Sequence, residues 1–84
     1  MAGTRVGKIT HYYDKIGVAV VSVESPISLG DQIEIRDKNE VQKFTQTVSS
    51  MQIEHKSINE AQKGQEIGLK IDQEVKEGDL VYKV

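Results

Sequence analysis

Three short segments of the chain repeat one pattern, in which a glycine is followed by a polar residue and then by alternating apolar residues. These segments are residues 29–33, 63–67 and 77–81. Glycine accepts the left-handed backbone that tight turns need, and apolar alternation is typical of a half-buried strand. The pattern therefore predicts an all-β chain of short strands that are entered through glycine turns.

The size of the chain leaves room for one domain. Its 84 residues are expected to form a single unit over 1–84, with residues 1–5 as a flexible N-terminal tail. Cysteine is absent, so packing must stabilise the domain without disulfides. No apolar stretch approaches the roughly 20 residues that span a bilayer, and we expect a soluble, cytoplasmic protein with no membrane partner.

The strand pattern can be followed along the whole chain. Residues 6–13 and 17–24 predict a hairpin that turns at 14–17. Apolar alternation changes phase between Val48 and Met51, which indicates a β-bulge or a break near residues 49–50. Residues 57–60 are interpreted as a short turn rather than a helix. The count is six strands, and a closed barrel is favoured because closure removes unpaired edges.

One segment resembles a known family. Residues 48–71, VSSMQIEHKSINEAQKGQEIGLKI, are similar to the second domain of translational GTPases of the elongation factor Tu and elongation factor 1-alpha type. The glycine turns at 30–31 and 77–79 also fit that family's turns, so the resemblance extends over about residues 6–84. The resemblance implies a six-stranded closed antiparallel β-barrel of the translation-protein type, acting as a stand-alone binding module in translation. A similar barrel forms the C-terminal end of some peptidases of the U32 collagenase-like family. The alternative is therefore an accessory role beside a larger protein.

Two departures from the elongation factor pattern limit what the resemblance implies. The phosphate-binding G-x-x-x-x-G-K-[ST] loop is absent from the chain, so we expect no nucleotide hydrolysis. Gln52 also stands where that family has the glutamate that helps to hold the 3′ end of aminoacyl-tRNA, and an amide can donate as well as accept.

The sequence offers little support for catalysis. His11 and His55 are the only histidines, and no spacing of carboxylates suggests a metal site beside them. Glu54 and His55 are adjacent on a predicted strand, so they should face opposite sides and form no acid–base pair. No G-x-S-x-G nucleophile elbow is present. We therefore expect a protein that is not an enzyme and that has no cofactor and no metal.

The candidate partner-binding surface combines a strand edge with a tyrosine. It consists of Gln52, Glu54, His55, Lys56, Tyr12 and Tyr13. Of the adjacent tyrosines one should pack inward and the other stay exposed, where it could stack on a base or simply be a rim residue. With a net charge of −2, any contact with tRNA or ribosomal RNA must be local, and a protein subunit is the other open partner. The oligomeric state stays open.

Overall fold

The computed structural model describes residues 3–84, and all of its regular elements are β-strands. There are ten rather than six, most of them short. Their bounds are β1 Thr4–Tyr13, β2 Val18–Val23, β3 Ile27–Ser28, β4 Gln32–Arg36, β5 Gln42–Thr47, β6 Met51–Ile53, β7 Lys56–Ile58, β8 Glu60–Ala61, β9 Glu66–Lys70 and β10 Leu80–Lys83. The all-β prediction is thus confirmed. Of the expected tail, Thr4 and Arg5 belong to β1, and Met1 and Ala2 lie outside the described residues.

The main sheet is open, so the prediction of a closed barrel is wrong. Eight strands pair antiparallel in the order β5-β4-β10-β1-β2-β9-β6-β7, and β3 and β8 form a separate two-stranded ribbon. Between residues 3 and 84 the end strands β5 and β7 share no ladder. The Gln46 side chain connects β5 to the end of β9 instead: Gln46 Nε2 donates to Lys70 O at 2.8 Å, and Asp72 N donates to Gln46 Oε1 at 2.9 Å.

The local chain reversals follow the sequence more closely. The β1–β2 hairpin turns at residues 14–17, as predicted. A break over residues 48–50 separates β5, which pairs with β4, from β6, which pairs with β7 and β9. It lets Phe44, Val48 and Met51 all be buried. The turn expected at 57–60 is wrong, because these residues lie mainly in β7 and β8.

The three glycine segments adopt one conformation. Gly30, Gly64 and Gly78 have φ of 89°, 92° and 93°. Each occupies the third position of a four-residue turn closed by a backbone hydrogen bond, as in a type II turn. These bonds run from Asp31 N to Ser28 O at 3.1 Å, from Gln65 N to Gln62 O at 3.2 Å and from Asp79 N to Lys76 O at 3.1 Å. The predicted turns are confirmed.

Each turn is also fastened in the same two ways. The side chain of its last residue accepts a hydrogen bond from the backbone N–H of its first, at 2.8 Å to Asp31, 2.7 Å to Gln65 and 2.9 Å to Asp79. The backbone N–H of the glycine also donates to the carbonyl oxygen of a buried residue elsewhere in the chain. Gly30 donates to Val48, Gly64 to Val23 and Gly78 to Ile9. The sequence repeat therefore corresponds to one hydrogen-bonded turn structure that occurs three times and is bonded each time to a residue of the core.

The core is one apolar cluster enclosed by these strands. It takes residues from the inward positions of most strands, including Ile9, Val21, Ile35, Ile67 and Leu69, each at most 1% exposed. Among residues 3–84 the buried polar side chains are those of Asp79 and Gln46, and both have hydrogen-bond partners. Because the inward side chains are buried in the core, a binding surface must be formed by the outward-facing side chains and the loops.

Candidate functional site

A groove on the outward face of the sheet is centred on Gly68, and we call it the Gly68 groove. Gly68 in β9 pairs with Val20 of β2 on one side and with Gln52 of β6 on the other. Because glycine has no side chain, the outward face is lower here than at the flanking strands. The groove has a volume of about 220 Å³ and is lined by Tyr13, Ile16, Val18, Val20, Gln52, Glu54, His55 and Gly68.

One wall of the groove is the tip of the β1–β2 hairpin. Ile16, in its turn, is 67% exposed, and Tyr13 at the end of β1 is 49% exposed. The Tyr13 ring lies against the His11 ring with 4.4 Å between centroids. Two of the five exposed large hydrophobic residues among those described thus stand on this wall. Exposed apolar side chains beside a concavity are typical of a binding surface.

The opposite wall is the tight turn between β6 and β7. Ile53 pairs with Lys56, so the loop consists of Glu54 and His55 alone. Both have left-handed backbones, with φ of 51° and 66°. The prediction that they lie on a strand and face opposite sides is wrong, because positive φ at both positions makes them the two central residues of a type I′ hairpin loop. Asn-Gly is the usual sequence of such loops, and glutamate and histidine adopt this conformation at a cost.

The structure brings most of the sequence-predicted surface together. Tyr13, Gln52, Glu54 and His55 line the groove. Tyr12 is half-buried and packs against the core, which confirms that one tyrosine is inward and the other exposed. Lys56 is exposed at the start of β7 but is outside the lining.

The sequence reasoning missed the apolar part of the groove. Val18 and Val20 occupy the outward positions of β2, alternating with buried Ala19 and Val21. The unbroken apolar run 18–21 concealed that alternation. Gly68 carries the available signal, because a glycine inside a strand often marks a place where another group approaches the backbone closely.

A second concavity, of about 260 Å³, is polar. It lies beside the third glycine turn and is lined by Asp37, Lys38, Asn39, Lys76, Glu77 and Asp79. Its buried carboxylate, Asp79, is already bonded to Lys76 N at 2.9 Å and to Lys43 Nζ at 2.7 Å. At its edge His11 Nδ1 lies 3.2 Å from Glu77 Oε2. The buried carboxylate of Asp79 is thus explained by its role in the turn, and it does not indicate a ligand site in this concavity.

A cluster of polar side chains also links β4 to β10. The Arg36 guanidinium lies over the Tyr82 ring, 3.9 Å from its centroid, and is bonded to Glu34. That hydrogen bond raises the pKa of Arg36. Tyr82 OH donates to Glu40 Oε1 at 2.8 Å, and this bond, together with burial, raises the pKa of Tyr82 above its usual 10.0. These contacts hold the strands together at the far side of the sheet.

Neither a metal-binding cluster nor a membrane-spanning helix occurs among residues 3–84. No three His, Cys, Asp or Glu side chains come together as a metal ion would need. No helix long and apolar enough to cross a membrane occurs in this described part of the chain.

Comparison with protein families identifies relatives along almost the whole chain. Residues 4–81 match the Peptidase family U32 C-terminal domain. An uncharacterized protease of Methanocaldococcus jannaschii is 36% identical over 77 residues, which are 92% of this chain and 19% of that protein. A collagenase of Porphyromonas gingivalis is 31% identical over 81 residues, or 95% of this chain and 22% of that protein. The chain thus spans about a fifth of the length of these curated relatives.

Solved structures have the same fold. Two crystal structures of the C-terminal domain of a U32 peptidase from Geobacillus thermoleovorans superpose with TM-scores of 0.85 and 0.87, each at 20% sequence identity. They cover 94% and 96% of this chain, which covers 98% and 92% of theirs. At this identity the superposition shows the fold alone.

These findings overturn the resemblance to the second domain of elongation factors. The elongation factor resemblance extended over about residues 6–84, with its specific motif at 48–71, and over nearly the same range, residues 4–81, the chain matches the U32 C-terminal domain instead. The placement in translation is therefore wrong, and the alternative of a U32 accessory module agrees better with the match. The chain belongs to the U32 peptidase C-terminal domain family.

Proposed function

We propose that this domain is a non-catalytic, protein-binding accessory module of a U32 peptidase. The observation that carries the proposal is the family match over residues 4–81, in relatives of which the domain makes up about a fifth. A domain that accompanies a larger protease is expected to bind either that protease or its substrate. The Gly68 groove supplies a concave surface with exposed apolar residues for such a contact.

The composition of the groove supports a protein partner over RNA. Its lining contains the carboxylate of Glu54 and the imidazole of His55 but neither lysine nor arginine. Phosphate binding relies on positive side chains, whereas protein interfaces centre on apolar and aromatic residues. The prediction of an RNA partner stays a prediction.

A domain replacement in the collagenase of Porphyromonas gingivalis tests the accessory role. Three proteins are compared: the intact collagenase, a form without the segment that matches this chain, and a chimera in which this chain replaces that segment. We expect deletion to lower kcat/KM for collagen cleavage and the chimera to restore it. The isolated 84-residue chain should cleave nothing.

Circular dichroism of all three proteins separates loss of function from loss of folding. A folded deletion form with undiminished collagen cleavage would overturn the accessory role. Cleavage of collagen by the isolated chain would overturn the non-catalytic assignment.

A further inference from the structure

We infer that the Gly68 groove binds one large apolar side chain of an extended polypeptide segment that belongs to the larger part of a U32 protease. This inference rests on the proposed function and names the surface and the chemistry by which the domain binds. Three observations support it: the shape of the groove, the exposed residues on one wall and the strained turn on the other.

The volume of the groove indicates which class of ligand it can hold. Its volume of about 220 Å³ is below the roughly 300–1,000 Å³ of pockets that hold small organic ligands. Gly68 contributes no side chain to the groove, and the Val18 side chain reaches to 3.2 Å from the point that a Gly68 Cβ would occupy. A single aromatic or branched aliphatic side chain fits such a depression while its own backbone stays outside. Anchors of this kind dominate the energetics of protein interfaces.

The apolar wall would complete the burial of that side chain. Ile16 and Tyr13 are 67% and 49% exposed although both are large hydrophobic residues. Neither contributes to the core, and their exposure costs free energy that an occupant would recover. Gln52 stands on the opposite strand, where its exposed amide can both donate to and accept from a peptide backbone.

The strained wall is the independent observation. Glu54 and His55 hold left-handed backbones in a loop where Asn-Gly would be more stable. Strain of this kind is concentrated at functional sites, where the side chains displayed matter more than the stability lost. The turn presents both side chains at the rim of the groove.

The partner is assigned to the larger part of a U32 protease because most of such a protein lies outside the segment that matches this domain. The curated relatives contain about four fifths of their length outside the matching segment. The charge of the groove argues against phosphate, and its size argues against a small organic ligand. A second copy of this domain or a free substrate peptide is a different outcome of the experiment below.

The experiment compares two sets of synthetic peptides, overlapping peptides that cover the Porphyromonas gingivalis collagenase outside its matching segment and collagen peptides, and it measures self-association of the chain without peptide. Binding to the 84-residue chain is measured by fluorescence anisotropy and located by amide chemical shifts. We expect one region of the collagenase to bind, with the largest shifts at Gly68, Val20 and Gln52. Replacement of the apolar anchor of that peptide by serine should abolish binding.

Two substitutions test the groove itself. Ile16→Ser removes the apolar wall and should weaken binding about ten- to hundred-fold. Gly68→Val fills the depression and should weaken binding as well. Its Cβ alone would lie 3.2 Å from Val18 Cγ1, so the Val18 side chain must shift, and the amide spectrum of the variant checks that the fold is kept. The matched control is Val41→Ser, since Val41 is 59% exposed and lies outside the groove lining. It should bind as the unaltered chain does.

The outcomes separate the inference from the proposed function. Absence of binding by every collagenase peptide, equal binding by Ile16→Ser and Val41→Ser, or shifts confined to another face would overturn the groove assignment. Self-association that blocks the groove, or binding only by collagen peptides, would likewise overturn it. The accessory role would still stand if the chimera regained collagen cleavage, and it would fall if the chimera did not.

Discussion

The turn between β6 and β7 allows a sharp test of whether its residues are strained. Glu54 and His55 both have positive φ, at 51° and 66°, and form the whole loop. For residues other than glycine this conformation costs about 1–2 kcal/mol each, and asparagine tolerates it better than most. Replacement of both by the pair Glu54→Asn and His55→Gly should therefore stabilise the domain.

The size of the effect follows from two opposing terms. Relief of left-handed strain at two positions contributes about 2 kcal/mol. The new glycine gives back about 0.4–1 kcal/mol, because it increases the conformational entropy of the unfolded chain. The net gain is about 1 kcal/mol, which raises the Tm of a domain of this size by roughly 4–8 °C.

The assay is thermal unfolding followed by circular dichroism, with Glu54→Ala and His55→Ala together as the control. The alanine pair removes the same charge and ring but keeps residues that disfavour positive φ, so its Tm should not rise. An unchanged or lower Tm for the Asn-Gly pair would refute the strain argument. An equal rise in both pairs would show that side-chain repulsion, and not the backbone, was responsible.

Other substitutions follow from single contacts. Gln46→Leu should lower the free energy of unfolding by about 2–4 kcal/mol in urea titrations, because two backbone partners, Lys70 O and Asp72 N, lose their bonds; a loss below about 0.5 kcal/mol would contradict the bridge. Replacement of Gly64 by L-alanine should lower the free energy of unfolding by about 1 kcal/mol, whereas D-alanine should leave it almost unchanged. The reason is that φ is +92° and, apart from Gly64 and its two chain neighbours, no described atom lies within 4 Å of the position that a Cβ would occupy. Equal Tm values for the two synthetic proteins would contradict the turn argument. The raised pKa of Tyr82 stabilises the fold below pH 10.0, and this contribution is lost as pH rises through the higher folded-state pKa; Tyr82→Phe should lack that loss in Tm measured against pH, and an identical profile would exclude Tyr82 as its source.

The parts of the fold that depend on neighbouring residues could be predicted from the sequence. A glycine followed by a polar residue specifies its own turn, and Gly30, Gly64 and Gly78 all adopt it. The phase change between Val48 and Met51 correctly indicated a break, because alternation fixes which face each residue occupies. Both signals are contained within a few residues of chain.

The parts that depend on distant contacts could not. Strands β3 and β8 are two residues long, so no period exists to detect. Whether the sheet closes depends on which edges meet, and near β5 the side chain of Gln46 replaces a backbone ladder. A buried glutamine at an inward position gave no sign of that role. The six-stranded closed barrel was wrong because very short strands raise the count to ten and because no ladder joins the end strands β5 and β7 between residues 3 and 84.

The candidate site was located through a family resemblance that proved wrong, yet four of its residues line one groove. The segment 48–71 explains both results. Many of its matching positions are ones the fold itself demands, such as the turn at Gly64 and the alternating Ile67 and Leu69 in β9, both at most 1% exposed. Positions of this kind specify a strand and its turn, and unrelated functions can share them.

The residues that could have distinguished the two families are the outward ones. Gln52 departs from the elongation factor glutamate, and it faces the groove beside Gly68. Inward residues determine which fold is stable, whereas outward residues determine what the fold can bind. The departure at Gln52 was therefore better evidence about function than the agreement at the buried positions. For a small β-domain, a mismatch at an exposed position that borders a concavity should limit a functional assignment even where the buried pattern agrees throughout.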